Sequence, residues 1–114
     1  MTIDTLILSG GAMNGINLIG FLNELSNNYN IKKIKKYIGV SCGSIISLLL
    51  NCDLDLEKFA YILIKTDILK LFDIDISLLY NDYGLSNFKK GMKFYEKIIE
   101  YFGVSKDITF LDLY

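Results

Sequence analysis

The chain has 114 residues and a formal net charge of −1, and 52% of its residues are hydrophobic. This length and composition predict one packed globular domain and exclude a disordered segment. Because nucleic-acid binders usually carry a clear basic excess, the charge balance also argues against a nucleic-acid partner.

The first predicted elements are a short buried strand, a glycine-rich loop and a helix. An apolar run covers 5–8 and stops at Ser9-Gly10-Gly11, as expected where a strand meets a tight loop. From about residue 13, apolar residues recur at three- and four-residue spacing until Asn27-Asn28, which predicts a helix.

A second strand is predicted at 36–40, followed by a sharp turn and a helix over about 42–51 that is apolar on all sides. Asp53 or Asp55 can cap a third helix that ends near Lys65. The apolar residues expected on one side of this helix are Leu56, Phe59, Ala60, Leu63 and Ile64.

The last third of the chain is less regular at its start than at its end. The stretch 66–83 predicts only one or two short helical turns. A helix is then predicted over about 86–102, with Gly103 as the left-handed residue at its end. Thr109 and Asp112 have the spacing of a capping box, which predicts the start of a further helix.

The alternation of strands and helices indicates an α/β fold. We expect three layers, with a mostly parallel sheet covered by helices on both faces. The turns that follow the two strands then lie at one edge of the sheet, outside the carboxyl ends of the strands, where sites form in such folds. This edge is the predicted functional site.

The residues Gly39-Val40-Ser41-Cys42-Gly43 have the GxSxG spacing of a nucleophile elbow. When a strand turns abruptly into a helix, the two glycine positions approach each other and side chains there would collide. The hydroxyl of Ser41 is then exposed near the positive end of the helix. The pattern predicts Ser41 as a nucleophile, and because the chain has no histidine, another group must take its proton.

The loop 9–15 allows three interpretations. A dinucleotide-binding loop needs GxGxxG, but Ala12 occupies the middle position between Gly10 and Gly15, and a phosphate-binding P-loop needs a lysine that is absent here. A nucleotide- or phosphate-binding module stays as the weaker alternative. The preferred interpretation is an oxyanion hole, in which the amides of Gly11 and Ala12 stabilise charge on an attacked carbonyl.

Metal and redox chemistry are not indicated. The spacing of Cys42 and Cys52 fits no zinc motif, and no histidine is present to complete one. We therefore expect no metal ion, no cofactor, and free thiols in a reducing, intracellular setting. No signal peptide or stretch of about 20 apolar residues is visible, which predicts a cytoplasmic protein or one that is peripheral at a membrane.

Four lysines, Lys32, Lys33, Lys35 and Lys36, form a basic run before the second strand. Such runs usually form a solvated surface. The other interpretation is contact with an anionic membrane surface, to which each lysine contributes about 1 kcal/mol when it lies close.

The two glycine-rich motifs, about thirty residues apart, resemble those of the patatin-like phospholipase family. The stretch 107–114, DITFLDLY, is also similar to the family's segment before its next core strand. The resemblance implies a lipid acyl hydrolase of the phospholipase or esterase type. It also implies a Ser-Asp dyad, in which the aspartate of a DGG or DGA motif activates the serine without histidine.

Carried over residue by residue, the resemblance makes Ser41 the nucleophile. It places the oxyanion loop at Gly10, Gly11 and Ala12, and the closing glycine of that loop at Gly15. Two positions depart from the family pattern. Ala12 replaces a glycine, keeping its backbone donor but resisting positive φ. Asn14 stands where the family usually has a cation.

No DGG or DGA occurs in the chain, and the nearest match, Asp82-Tyr83-Gly84, precedes 107–114 instead of following it. We therefore expect 1–114 to be the amino-terminal portion of a patatin-like domain, truncated before its last core strands. The implied substrate is a lipid or membrane-surface ester, with a second chain as a candidate source of the aspartate. The alternative is an inert fragment, or one half of a split enzyme that acts as an interaction module.

Overall fold

A computed structural model describes residues 3–11, 14–71, 76–82, 84 and 88–113. Its strands and helices are β1 (Thr5–Leu8), α1 (Gly15–Asn28), β2 (Lys36–Gly39), α2 (Cys42–Asn51), α3 (Leu56–Lys65), α4 (Ile76–Asp82) and α5 (Lys89–Tyr101). Two short 3₁₀ helices occupy Ile31–Lys33 and Ile68–Leu71. The fold is α/β, as predicted.

Among the described residues, β1 and β2 form a two-stranded parallel sheet in which Thr5 pairs with Lys36 and Leu8 pairs with Gly39. The N–H of Val40 donates a further bond to the Leu8 carbonyl oxygen at 3.0 Å. β1 has its predicted bounds, and β2 ends one residue earlier than predicted. Because the strands are parallel, the loop after β1 and the turn after β2 leave the same edge of the sheet. The three-layer arrangement stays a prediction.

The first of two compact units covers 1–62 and Leu113. Its core joins β1, α1 and α2 through three leucines, Leu8, Leu22 and Leu49, none of which is more than 2% exposed. Burying one such side chain stabilises the fold by about 2 kcal/mol. The sheet edge that carries both glycine-rich turns is therefore attached to a well-packed core.

Helix α2 has the predicted bounds, but the expectation that it is buried on all sides is wrong. Its buried residues are Gly43, Ile46, Ser47 and Leu49. Ser44 and Asn51 are exposed, because both are polar and lie on the side of the helix away from the core. The first turn of α2 is thus partly open to solvent.

Of the two predicted caps of α3, Asp55 is the one used: its Oδ1 accepts the N–H of Lys58 at 3.0 Å. This bond, assisted by the charge of Lys58, lowers the pKa of Asp55. Asp53 instead has a left-handed backbone with φ 56° and forms an ion pair with Lys32 at 2.7 Å. The prediction for Ile64 is wrong, because it lies about 100° around the helix from its buried neighbour and is 71% exposed.

In the second compact unit, Leu63–Asp112, helix α5 packs against the 3₁₀ helix Ile68–Leu71. Ile98 and Ile99 are its buried apolar side chains. Gly91 is also buried, and a Cβ there would lie 3.2 Å from the ring of the preceding Phe88. The glycine inside this helix therefore has a packing role.

Helix α5 ends at Tyr101, one residue earlier than predicted, and the predicted left-handed Gly103 after it is confirmed. Gly103 has φ 80°, and the N–H of Val104 donates to the Ile99 carbonyl oxygen at 3.1 Å, as in a Schellman motif. The predicted capping box is also present, because the carboxylate of Asp112 accepts the N–H and O–H of Thr109 at 2.8 and 2.7 Å. The predicted helix start near 86 lies outside the described residues.

Candidate active site

Ser41 lies at the tip of the turn between β2 and α2. Its backbone has φ 53° and ψ −125°. Residues other than glycine adopt positive φ rarely, and such strain costs about 1–3 kcal/mol. The residue is exposed, and its side chain makes no capping hydrogen bond to α2. A strained residue whose hydroxyl is not used as a helix cap suggests a functional role for the turn.

The two glycines of this turn have no room for a side chain. A Cβ on Gly39 would lie 2.5 Å from the carbonyl oxygen of Gly43 and from the Cα of Ser44. A Cβ on Gly43 would overlap the carbonyl oxygen of Leu8. These are backbone atoms that cannot rotate away, so the close approach of β1, β2 and α2 requires glycine at both positions.

Two serines of α2, which the sequence pattern alone did not single out, hold the turn. The carbonyl oxygen of Ser41 accepts the N–H of Ser44 at 2.9 Å and its O–H at 2.5 Å. The buried Ser47 donates its O–H to the Gly43 carbonyl oxygen at 2.8 Å. Serines in the first turns of a helix often bond to carbonyl groups three or four residues earlier, which is the signal that points to them.

Gly10 brings the glycine-rich loop against Ser41. A Cβ on Gly10 would lie 3.2 Å from the Cβ of Ser41 and 3.9 Å from its Oγ. In the same loop, the N–H of Asn14 donates to the Gly11 carbonyl oxygen at 2.8 Å, directly before α1. The two loop glycines thus lie at the edge that carries Ser41, whereas Ala12 lies outside the described residues.

The start of α1 packs against the start of α2. A Cβ on Gly15 would lie 3.3 Å from both the Cβ and the Sγ of Cys42. The same thiol lies 3.9 Å from the carbonyl oxygen of Ser9. Gly15 is buried, and its missing side chain allows the loop to end in direct contact with the turn of Ser41.

The start of α2 contributes a positive backbone end to the turn at Ser41. The first turn of α2 contains no acidic residue, and a helix N-terminus carries about half a positive charge. Its N–H groups favour an anion nearby. Among the described residues, no group of three His, Cys, Asp or Glu side chains is placed to hold a metal ion.

A sequence profile of patatin-like phospholipases matches residues 6–114, a span that includes all but the first residue of β1, both glycine-rich turns and the Thr109 capping box. The chain belongs to the patatin-like phospholipase family. The resemblance inferred from the two motifs is therefore confirmed.

Two viral proteins are similar to this patatin-like chain. A probable lipid hydrolase of Invertebrate iridescent virus 6 is 38% identical over 111 residues, which make up 93% of this chain and 37% of that protein. An uncharacterized protein of Acanthamoeba polyphaga mimivirus is 31% identical over 112 residues, 95% of this chain and 38% of that protein. The chain thus spans less than two fifths of either relative. No solved structure matches it significantly.

The Ser-Asp dyad that the family resemblance implies stays a prediction. Among the described residues, no hydrogen bond joins the Ser41 hydroxyl to a carboxylate. The sequence contains no DGG or DGA. The nearest match to that motif is Asp82-Tyr83-Gly84. Asp82 ends α4, and Tyr83 lies outside the described residues.

The basic run of the patatin-like chain lies at the other end of β2 from Ser41. The N–H groups of Lys35 and Lys36 donate to the Asp4 carbonyl oxygen at 2.9 and 3.1 Å, before β1 begins. A strand advances about 3.3 Å per residue, so Ser41 lies roughly 16 Å further along. The contact of this basic run with an anionic membrane surface stays a prediction. In the described ranges, no helix is both long and apolar enough to cross a membrane.

Proposed function

We propose that this chain carries the serine nucleophile of a lipid acyl hydrolase of the phospholipase or esterase type. The observation that supports this most directly is the exposed Ser41, which is held at φ 53° beside Gly10 and makes no capping bond. A nucleophile needs an accessible hydroxyl in a fixed position, with backbone donors nearby. Family membership and the probable lipid hydrolase among the relatives favour a lipid ester as substrate.

In the proposed reaction, the Oγ of Ser41 attacks the carbonyl carbon of the ester, and its proton passes to a carboxylate base. The carbonyl oxygen becomes an oxyanion, which the N–H groups of Gly10, Gly11 and Ala12 stabilise. Collapse of this intermediate breaks the ester C–O bond, and the base returns the proton to the leaving alcohol. Water then hydrolyses acyl-Ser41 by the same route, and no cofactor takes part.

The base in this proposal is the aspartate of a Ser-Asp dyad, and it lies outside these 114 residues, on a longer polypeptide or on a second chain. The family resemblance and the absence of DGG and DGA from the sequence support this. A positioned base contributes about 10²–10⁴-fold to the rate. The 114-residue chain alone is therefore expected to react slowly.

A fluorophosphonate probe tests the nucleophile, since it phosphonylates activated serine hydroxyls. We expect slow labelling of the chain at Ser41 and none in Ser41→Ala. Sodium formate, a small carboxylate, is added at constant ionic strength to replace the missing base. The labelling rate should rise with formate concentration and saturate at about tenfold or more above the rate without it.

Ser105→Ala is the matched control, because Ser105 is an exposed serine of the second unit that accepts the N–H of Asp107. It should label at the wild-type rate. Labelling that persists in Ser41→Ala would contradict the nucleophile. A rate that formate and sodium chloride raise equally would contradict the missing base.

One observation favours a second function, an interaction module that binds the polypeptide carrying the base. On one face of the sheet, Ile7 and Ile38 are paired and are 71% and 40% exposed, and Val40 on the same face is 63% exposed. Parallel sheets are usually covered on both faces. A folded chain that the probe does not label, with or without formate, would favour this second function over hydrolysis.

A further inference from the structure

The thiol of Cys42 fills the space between the turn of Ser41 and the start of α1. A Cβ added at Gly15 would lie 3.3 Å from the Sγ of Cys42, closer than an ordinary van der Waals contact, so the space beside Gly15 holds no side chain larger than hydrogen without a shift. The sulfur also lies 3.9 Å from the Ser9 carbonyl oxygen, to which a thiol is a weak donor. Cys42 is half-buried, as expected for a side chain held between two segments.

The glycine-rich loop touches two consecutive residues of the turn. Gly10 lies against Ser41, where an added Cβ would be 3.2 Å from the serine Cβ. At the far end of the loop, Gly15 lies against Cys42. The size of the side chain at position 42 therefore limits how closely the loop approaches the turn.

We propose that Cys42 is a positioning residue, whose sulfur sets the distance between the glycine-rich loop and the hydroxyl of Ser41. This inference rests on the proposed function, in which N–H groups of the loop stabilise the oxyanion. Such donors act at about 2.7–3.1 Å, and a misplacement of about 1 Å costs about 100-fold in rate. A shift of a few tenths of an ångström at Gly15 is therefore enough to change the reactivity of Ser41.

A double-mutant cycle of Gly15→Ala and Cys42→Gly tests the contact. In the wild-type background the new methyl group crowds the thiol, so we expect Gly15→Ala to lower the thermal unfolding midpoint. In the Cys42→Gly background the crowding is gone, and the same change should raise the midpoint because alanine is the better helix former. The two effects should differ by about 4 °C or more.

Gly20→Ala is the matched control within α1, because a Cβ at Gly20 would meet nothing within 4 Å. It should raise the midpoint equally in the wild-type and Cys42→Gly backgrounds. Equal effects of Gly15→Ala in the two backgrounds would overturn the contact, and with it the proposal.

The rate at which the fluorophosphonate probe labels Ser41 measures how well the loop is positioned. It is determined at saturating formate and at a temperature at which every variant is folded. We expect Gly15→Ala to slow labelling about tenfold. Adding Cys42→Gly should restore most of the rate, because the alanine methyl then takes the space of the thiol. A side chain that only fills space would change the midpoint and leave the labelling rate unchanged, which would overturn the positioning role.

The backbone amide NMR shifts of Gly10 and Gly11 separate this inference from the proposed function. They should move in Gly15→Ala and return in the double variant, whether or not the serine reacts. If the shifts follow this pattern in a chain that the probe never labels, the proposed function fails and the spacing role stands. If they do not change, the spacing role fails.

Discussion

Two turns of this chain are fixed in different ways. The turn at Ser41 is held by two bonds from Ser44 to its carbonyl oxygen and by the close approach of Gly43 to β1. The turn at Thr109 is held by a carboxylate, because both donors of Thr109 bond to Asp112. Close backbone packing, or shape, specifies the turn at Ser41, whereas the charge of the Asp112 carboxylate specifies the turn at Thr109. The first turn should therefore be sensitive to added side-chain volume, and the second to pH.

The difference matters most for the two hydroxyl groups. The O–H of Thr109 donates to Asp112 at 2.7 Å and is committed to holding its turn. The O–H of Ser41 makes no capping bond, and its turn is held by backbone packing and by Ser44. A reactive hydroxyl must stay available to its substrate and its base. Because backbone packing fixes the turn, the Ser41 hydroxyl stays available for the proposed reaction.

Gly43→Ala should have the largest effect, because it attacks the turn that is specified by shape. The added Cβ would overlap the carbonyl oxygen of Leu8, a backbone atom of the core strand. We expect the free energy of unfolding to fall by about 3 kcal/mol, the upper end for overpacking. Urea denaturation followed by circular dichroism measures this change.

Gly11→Ala is the control for Gly43→Ala, since a Cβ at Gly11 meets its neighbours at 3.7 Å or more, an ordinary contact. Its free energy of unfolding should stay within about 0.5 kcal/mol of the wild type. Equal urea midpoints for the two variants would show that the turn of Ser41 is not specified by backbone shape.

Ser44→Ala should have an intermediate effect, because it removes one of the two bonds to the Ser41 carbonyl oxygen. We expect a loss of about 0.5–1 kcal/mol in unfolding free energy, since alanine, the better helix former, offsets part of the lost bond. Ser26→Ala removes a similar bond, to the Asn23 carbonyl oxygen at 2.6 Å. Only Ser44→Ala should also slow the labelling of Ser41, and equal labelling rates would contradict its role in the turn.

The sequence predicts features that depend on neighbouring residues. The apolar run before Ser9, the strand before Ser41 and the glycines at GxSxG spacing each act locally, so both strands and both turns were predictable. The same holds for Gly103 and for the Thr109 capping box, whose bonds span only a few residues.

Features that depend on how two elements meet were not predictable. The contact of Gly15 with Cys42 exists because the starts of α1 and α2 lie together, which no spacing along the chain reveals. The exposed face of α2 and the exposed Ile64 also depend on which sides of the helices face the core. Apolar periodicity predicts that a helix has a buried side, but it places that side only approximately.

The smallest effect is expected at the turn that is specified by charge. The O–H of Thr109, and then its N–H, lower the pKa of Asp112 from its usual value of 3.8. The native carboxyl therefore binds its proton less readily than the carboxyl of the unfolded chain. Its contribution to stability is present above about pH 4 and is lost as the pH falls through the folded-state pKa. Among the described residues no carboxylate bonds to the turn at Ser41, so we expect no such pH dependence there.

Thr109→Ala removes the first of these bonds, so we expect the pKa of Asp112 to rise toward 3.8. The measurement is an NMR titration of the Asp112 side-chain carboxyl carbon from about pH 6 to about pH 2, a range that brackets an aspartate. Ser44→Ala serves as the control and should leave this titration unchanged. An unchanged titration midpoint of Asp112 in Thr109→Ala would mean that the Thr109 hydroxyl does not stabilise the Asp112 carboxylate. The contrast between the two turns would then depend on the backbone N–H of Thr109 alone.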